Sequence, residues 1–400
     1  MEFSGFVGGP GILTQTEDAI KVFNTENPKY KMTFVQGQLN QPPLQQLTAM
    51  YAAGNVPTVF VLDTSSVHLV SDKLLDLSGE PWVDNAYPWA KAQGTIDGKV
   101  LGVPASVTAI GFLYNKKLVE KAIGGPFDPA TVRTRTDLER LFATVKSSGV
   151  AAATQVSPLN WSLGAQYMGK LYDAQGDDAA RAKFLADLRA GKVDLMSNAV
   201  FNGLMDTLDL MRTYNLNAAK PLTGTIDTDS KAFADGKVAF WFMGDFQWPV
   251  LQALGLDPAS DDYGILPVPV SNDPTDPWNQ KLMASSSFML CIDKTVSTPE
   301  QQAAAKAYLN WYITSPSGQD YMVTKAGQVP AYSNVKLPPS NPLGRAVAAD
   351  VSSGGTYSPV LDLPADHLPV VGDIMVKYLD GKLDRAAVAK AIQAYWTSAK

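Results

Sequence analysis

Two periods of hydrophobic and polar positions alternate along the first part of the chain. Residues 3–7, 31–35 and 59–62 read as short apolar strands, the last ending at Asp63. Between them, 14–24 and 44–53 carry apolar positions at helical spacing, with Leu44, Leu47 and Met50/Tyr51 on one face. Gly54 and Pro57 stop the second helix. This alternation predicts an α/β fold with a largely parallel sheet and helices on both faces. Ligands of such folds sit beyond the carboxyl ends of the strands, and Asp63 stands at one such end.

Farther along, 100–104 and 110–114 look like a paired strand segment before a helix over 116–123. The stretches 137–192 and 200–214 read as mostly helical. Residues 267–277, rich in Pro and Asp, are loop, and 287–293 is a strand. Ser297 opens a helix with Pro299 in its first turn and Glu300 near its amino end, running to about residue 313. Residues 330–355 read as irregular. Helices over 367–379 and 385–396 close the chain.

The most informative segment is 231–248, KAFADGKVAFWFMGDFQW. A charged turn, Asp235-Gly236-Lys237, feeds an apolar strand that ends at Gly244. Asp245, Phe246, Gln247 and Trp248 follow. A glycine there suits a tight strand-to-helix turn through positive φ or close approach of a ligand. A carboxylate beside aromatic rings can accept hydroxyl hydrogen bonds while a ring covers an apolar sugar face. A buried strand followed by core aromatics reads equally well.

Composition narrows the partners. The 400 residues, 46% hydrophobic and 18% charged, can bury a large core without disulfides or metal. The net charge is −6 and no basic run occurs, which argues against nucleic acid and anionic membrane surfaces. The single cysteine, Cys291, lies in an apolar run and reads as a buried, inert thiol. No apolar run reaches the length of a membrane span. The chain enters a strand-like segment at Met1-Glu2-Phe3, so export would require a leader already removed.

Catalytic and cofactor motifs are lacking. His68 and His367 have no metal-ligand spacing, and there is no HExxH, CxxC, EF-hand loop or GxSxG elbow. Gly8-Gly9-Pro10-Gly11 is neither a Walker loop nor a dinucleotide fingerprint. Asp227-Thr228-Asp229 and Asp261-Asp262 read as solvated loops. Glycosidase carboxylates need not be near in sequence, so motif alone does not exclude hydrolysis, but nothing positive supports it. No cofactor and no metal is expected.

Several segments, in order, resemble those of family 1 extracellular solute-binding proteins, the maltose-binding-protein-like sugar-binding subunits of ABC importers. Residues 231–248 resemble the family's F-x-x-G-K-x-A-M-x-x-x-G-x-W pattern. Ala52-Ala53-Gly54-Asn55-Val56-Pro57-Thr58-Val59 is similar to its AAGxxPD-V segment, with Thr58 in place of Asp. Gly102-Val103-Pro104 with Gly111-Phe112-Leu113-Tyr114-Asn115-Lys116 resembles its G-x-P…G-x-x-Y-N-K signature. Residues 303–314 with Ser317-Gly318-Gln319, then Gly327-Gln328-Val329-Pro330-Ala331, and finally Tyr378-Leu379-Asp380-Gly381-Lys382 follow in family order.

The resemblance implies the type II periplasmic-binding-protein fold, with two α/β lobes, three interlobe crossovers and a ligand cleft between the lobes. Lobe one would be 1–110 and 287–332, and lobe two 111–286 and 333–400. It implies a monomeric, non-enzymatic, extracytoplasmic binding protein, periplasmic or lipid-anchored, that delivers a carbohydrate to ABC permease transmembrane subunits. A secreted carbohydrate-active enzyme or lectin-like module is the alternative, and a cytoplasmic α/β enzyme a third.

The candidate ligand-binding residues are drawn from both lines of reading. Asp63 and Asp245 are hydroxyl acceptors. Phe246 stands where relatives often carry a stacking Trp, with Trp248 or Trp161 as the stronger platform. Gln38, Asn40 and Gln41 occupy a polar loop after the second strand, where amides suit a hydroxyl-rich ligand. Trp278 lies in a loop near a crossover, and Ser285 and Ser286 lie at the crossover itself. His367 opens a helix where relatives place a cleft residue. Arg345 is a possible clamp for an anionic group.

Overall fold

The computed structural model describes residues 1–7, 13–37, 43–359, 363–364 and 366–399. In chain order the strands are β1 (Glu2–Val7), β2 (Lys31–Gln36), β3 (Val59–Asp63), β4 (Thr95–Ile96), β5 (Lys99–Val100), β6 (Val103–Pro104), β7 (Thr108–Asn115), β8 (Ala152–Gln155), β9 (Val238–Gly244), β10 (Tyr263–Leu266), β11 (Leu282–Ser285), β12 (Phe288–Ile292) and β13 (Thr356–Tyr357). The chain divides into two compact units, 1–108 with 285–348 and 109–284 with 349–400.

The first unit holds a sheet of order β2-β1-β3-β12-β6. β1 runs parallel to both β2 and β3, and helices Leu13–Glu26 and Pro43–Ala52 make the crossovers that parallel strands require. β3 is an unbroken apolar run because it is buried along Val59–Leu62. β12 inserts antiparallel between β3 and β6, setting Phe288 opposite Asp63. Leu47, Phe60, Leu62, Leu101, Met289 and Cys291 pack in this unit's core. Cys291 is fully buried and free, and burial pushes its thiol pKa up, so it is inert as expected.

The second unit holds a sheet of order β13-β11-β7-β9-β8, with β10 also on β7. β7 and β9 are antiparallel, with Phe112 opposite Phe242, and β8 runs parallel to β9. Phe112 meets Phe142 edge-to-face at 5.8 Å in a core that takes in helices Arg135–Ser147, Ala199–Thr213, His367–Leu379 and Arg385–Ser398.

The expected elements need four corrections. The segments at 100–104 and 110–114 do not pair: β6 lies on β12 and β7 on β9, because the chain passes from one unit to the other at 108/109. Residues 330–355 are not irregular throughout. Helix Pro342–Ser353 forms there, its start fastened by the Asn341 side chain accepting from Gly344 N–H at 2.8 Å. The passage expected at 332/333 falls at 348/349. The intervening chain stays tied to the first unit, where Tyr332 O–H donates to Pro104 O, Ser333 N–H to Asn85 O and Asn334 Nδ2 to Ile313 O. The fourth correction concerns Asp227-Thr228-Asp229, which is no solvated loop but the first turn of helix Ile226–Ala234, with Asp229 only 1% exposed.

Candidate functional site

In the second unit the carboxyl end of β9 passes into a single 3-10 turn, Asp245–Gln247, and then into helix Trp248–Ala253. Gly244 sits at the junction in extended backbone, with φ −97°, so the turn does not draw on positive φ. It uses the missing side chain instead. A Cβ at 244 would stand 2.1 Å from the Phe246 ring and 2.8 Å from Ile110 Cδ1, so glycine is what lets the Phe246 ring fold back over the strand end.

The Phe246 ring is 40% exposed and lies 6.1 Å from the Trp161 ring at 55°. Trp161 is half-buried and opens a π-helical turn, Trp161–Tyr167. That turn is pinned by close backbone packing. A Cβ on Gly164 would meet Gly372 N at 2.4 Å, and one on Gly372 would meet Asn160 O at 2.4 Å. The Asn160 amide also donates to Asp373 on helix His367–Leu379. π-turns of this kind recur at functional sites because they re-aim a side chain within a helix. The result is an aromatic pair, Phe246 exposed and Trp161 half-buried, fixed to rigid elements.

Beside it, Asp245 is 8% exposed and accepts a hydrogen bond from Ala109 N–H at 2.8 Å through Oδ1. Burial pushes its carboxyl up to about 7, against the lowering effect of the backbone N–H groups it accepts from. Three aromatic or imidazole candidates of this unit are taken by packing. Trp248 is 2% exposed against Tyr263 at 5.7 Å, so it offers no open ring face. Trp278 packs edge-to-face on Tyr357 at 5.1 Å, and its carbonyl accepts from the buried Lys170 ammonium at 2.7 Å, which makes it a loop anchor. His367 is 2% exposed among Tyr172, Tyr395 and Trp396, with Nε2 2.8 Å from the Tyr172 hydroxyl. Burial lowers its imidazole to about 4, so it is a neutral core residue.

In the first unit, Asp63 ends β3 half-buried, and its side chain does not cap the helical turn that follows. Burial raises its carboxyl pKa. Ser285 is half-buried and its carbonyl accepts from Thr108 Oγ1 at 3.3 Å. Ser286 is structural: fully buried, it donates through Oγ to Phe288 O and through N–H to Gln93 Oε1, and it accepts from Thr64 Oγ1. Arg345 is half-buried on helix Pro342–Ser353. Gln38, Asn40 and Gln41 lie outside the described residues. Among the described residues there is no cluster of His, Cys, Asp or Glu able to hold a metal ion, and no helix is long and apolar enough to cross a membrane.

Two α/β units, each built from separated segments of the chain, are the architecture of two-lobed binding proteins. Residues 18–349 match the model of the bacterial extracellular solute-binding proteins, and the chain belongs to that family. Solved structures agree on the fold. A family 1 extracellular solute-binding protein from Bifidobacterium longum subsp. infantis is 20% identical, with TM-score 0.72 over 100% of this chain and 99% of that one. RafE from Streptococcus pneumoniae, in its apo-form, is 19% identical, with TM-score 0.77 over 99% and 97%. Maltose-bound MalE3 of T. maritima is 18% identical, with TM-score 0.76 over 99% and 98%. No curated protein sequence matches the chain.

Sequence reasoning passed over Asp373, which holds the Asn160 amide before Trp161 and has no local signature.

Proposed function

We propose that the chain is the substrate-binding subunit of an ABC importer for a sugar or oligosaccharide, working by binding without covalent chemistry. The observation that carries this is the aromatic pair of half-buried Trp161 and exposed Phe246, its ring centroids 6.1 Å apart, with Asp245 next to Phe246 in the chain. Flat sugar faces stack on such rings while hydroxyls donate to carboxylates. Asp63, in the first unit, is a second candidate acceptor of sugar hydroxyls. The solved relatives include one in complex with raffinose, one bound to maltose and a chitin oligosaccharide binding protein, which supports the ligand class. Release would be to the transmembrane subunits of a permease, from an extracytoplasmic location.

Titration calorimetry against maltose, raffinose and chitin oligosaccharides tests the reading. A sugar should bind on the order of micromolar, near −8 kcal/mol. Trp161→Ala should then weaken binding by about 1–3 kcal/mol. Unchanged affinity in a normally folded variant removes Trp161 from the site. Turnover of a chromogenic glycoside would favour the enzyme alternative.

A further inference from the structure

Asp229 and Ser230 are adjacent in helix Ile226–Ala234, and both are buried, at 1% and 0% exposure. Neither touches the aromatic pair, yet each holds a segment that leads to one of its rings. Asp229 accepts from Ser157 Oγ at 2.5 Å through Oδ2 and from Gln155 Nε2 at 2.6 Å through its backbone carbonyl. Ser157, having given its proton to Asp229, accepts the Trp241 indole N–H at 3.1 Å. Gln155 ends β8, and Ser157 begins the short run Ser157-Pro158-Leu159-Asn160 that delivers Trp161. Ser230 spends its own proton on Ile226 O at 2.6 Å, which leaves its lone pair for Gln247 Nε2 at 2.9 Å. Gln247 follows Phe246 directly.

We infer that Asp229 and Ser230 are positioning residues, a buried dipeptide that sets the Trp161 and Phe246 rings at their mutual spacing and thereby governs sugar affinity from beneath the site. The inference rests on the reading of those rings as the stacking platform. Its geometry is directional. With both hydroxyl protons committed, each hydroxyl can accept only where it does, so the two loops have one register against the helix. Asp229→Asn preserves an acceptor oxygen for Ser157, whereas Asp229→Ala and Ser157→Ala break the tie.

The test is a ¹⁹F spectrum of the full chain labelled with 5-fluorotryptophan, with the Trp161 line identified by its loss in Trp161→Phe. Without any sugar, that line should shift or broaden in Asp229→Ala and Ser157→Ala and stay in place in Asp229→Asn. A line unmoved in folded Asp229→Ala overturns the inference. The second readout is a double-mutant cycle by calorimetry with maltose, raffinose or chitotriose, whichever gives the largest heat. Asp229→Ala should weaken binding about tenfold, the scale of one charged hydrogen bond, and should have almost no further effect once Trp161 is Ala. Ser230→Ala should behave likewise against Phe246→Ala. Additive losses, or a lowered melting temperature with unchanged affinity, reduce the dipeptide to a structural role and overturn the inference. If the Trp161 line moves but Trp161→Ala binds sugar normally, the fault lies in the stacking-site reading, and with it the link to affinity fails while the control of ring position stands.

Discussion

Asp245 and His367 sit in the same unit, and burial drives both toward their neutral forms from opposite directions. The Asp245 carboxyl rises from 3.8 to about 7 on folding, so between those pH values the folded chain holds a proton that the unfolded chain has released. Stability from this group falls as pH climbs from about 4 to about 7 and is level above. The His367 imidazole drops from 6.5 to about 4, so in that window the unfolded chain holds the extra proton, and stability rises with pH. The two slopes offset over the shared range. Asp245→Asn should therefore make stability climb more steeply from pH 4 to 6.5 than in the parent, and His367→Gln should make it fall, each by on the order of 2–4 kcal/mol across the window. Denaturant melts at half-unit pH steps check this, and profiles parallel to the parent's defeat the account. A sugar hydroxyl donated to Asp245 favours its charged form, so affinity should also tighten as pH rises through 7, and Asp245→Asn should abolish that dependence in calorimetric titrations. At this scale the sequence located the aromatic cluster but misjudged which rings it exposes. Phe246 and Trp248 are two apart in a helical turn, so they cannot share a face, and the turn that exposes the first buries the second. His367 misled because nothing local shows that Tyr172 and Trp396 close over it.

Among the elements, those with strong periodicity were legible: β1 to β3, β12, and the closing helices His367–Leu379 and Arg385–Ser398. β8 was not, because Ala-Ala-Thr-Gln has no alternation and a single branched residue, Thr154, to mark a strand, and its pairing with β9 and the bridge from Thr154 to Asn215 make it one. Helix Pro342–Ser353 was hidden by the prolines before it and the glycines after it. The π-turn Trp161–Tyr167 is a change of hydrogen-bond register with no compositional trace, although its consequence is visible in Gly164 and Gly372. Gly372→Ala should force its new methyl against the Asn160 carbonyl and cost about 1–3 kcal/mol, the usual cost of overpacking. Urea unfolding should show a lower midpoint with an unchanged slope. Because Asn160 precedes Trp161, the same variant should weaken sugar binding, and a variant as stable as the parent would remove the close approach as a constraint.

For the whole molecule, the ordered family landmarks carried the fold, while the third boundary slipped from 332/333 to 348/349 because hydrogen bonds to the first unit outlast the last landmark turn. Each unit has its own sheet and core, so the candidate acceptor of each, Asp63 and Asp245, has a separate readout. At a sugar concentration 100 times the dissociation constant, binding should add about 2.7 kcal/mol. Hydrogen exchange should show amides of both β3 and β9 gaining protection. Protection confined to β9 would remove Asp63 from the candidate ligand residues. β12 occupies the slot between β3 and β6, and synthesis reaches it only at Phe288. At 5–20 residues per second, β3 leaves the ribosome roughly ten seconds or more before its antiparallel neighbour exists. Throughout that interval an apolar Val-Phe-Val-Leu edge stands open to mispairing. A chain cut short before residue 285 keeps that edge for good and should aggregate on refolding, visible as light scattering, whereas the intact chain, once β12 closes its first sheet, should stay clear.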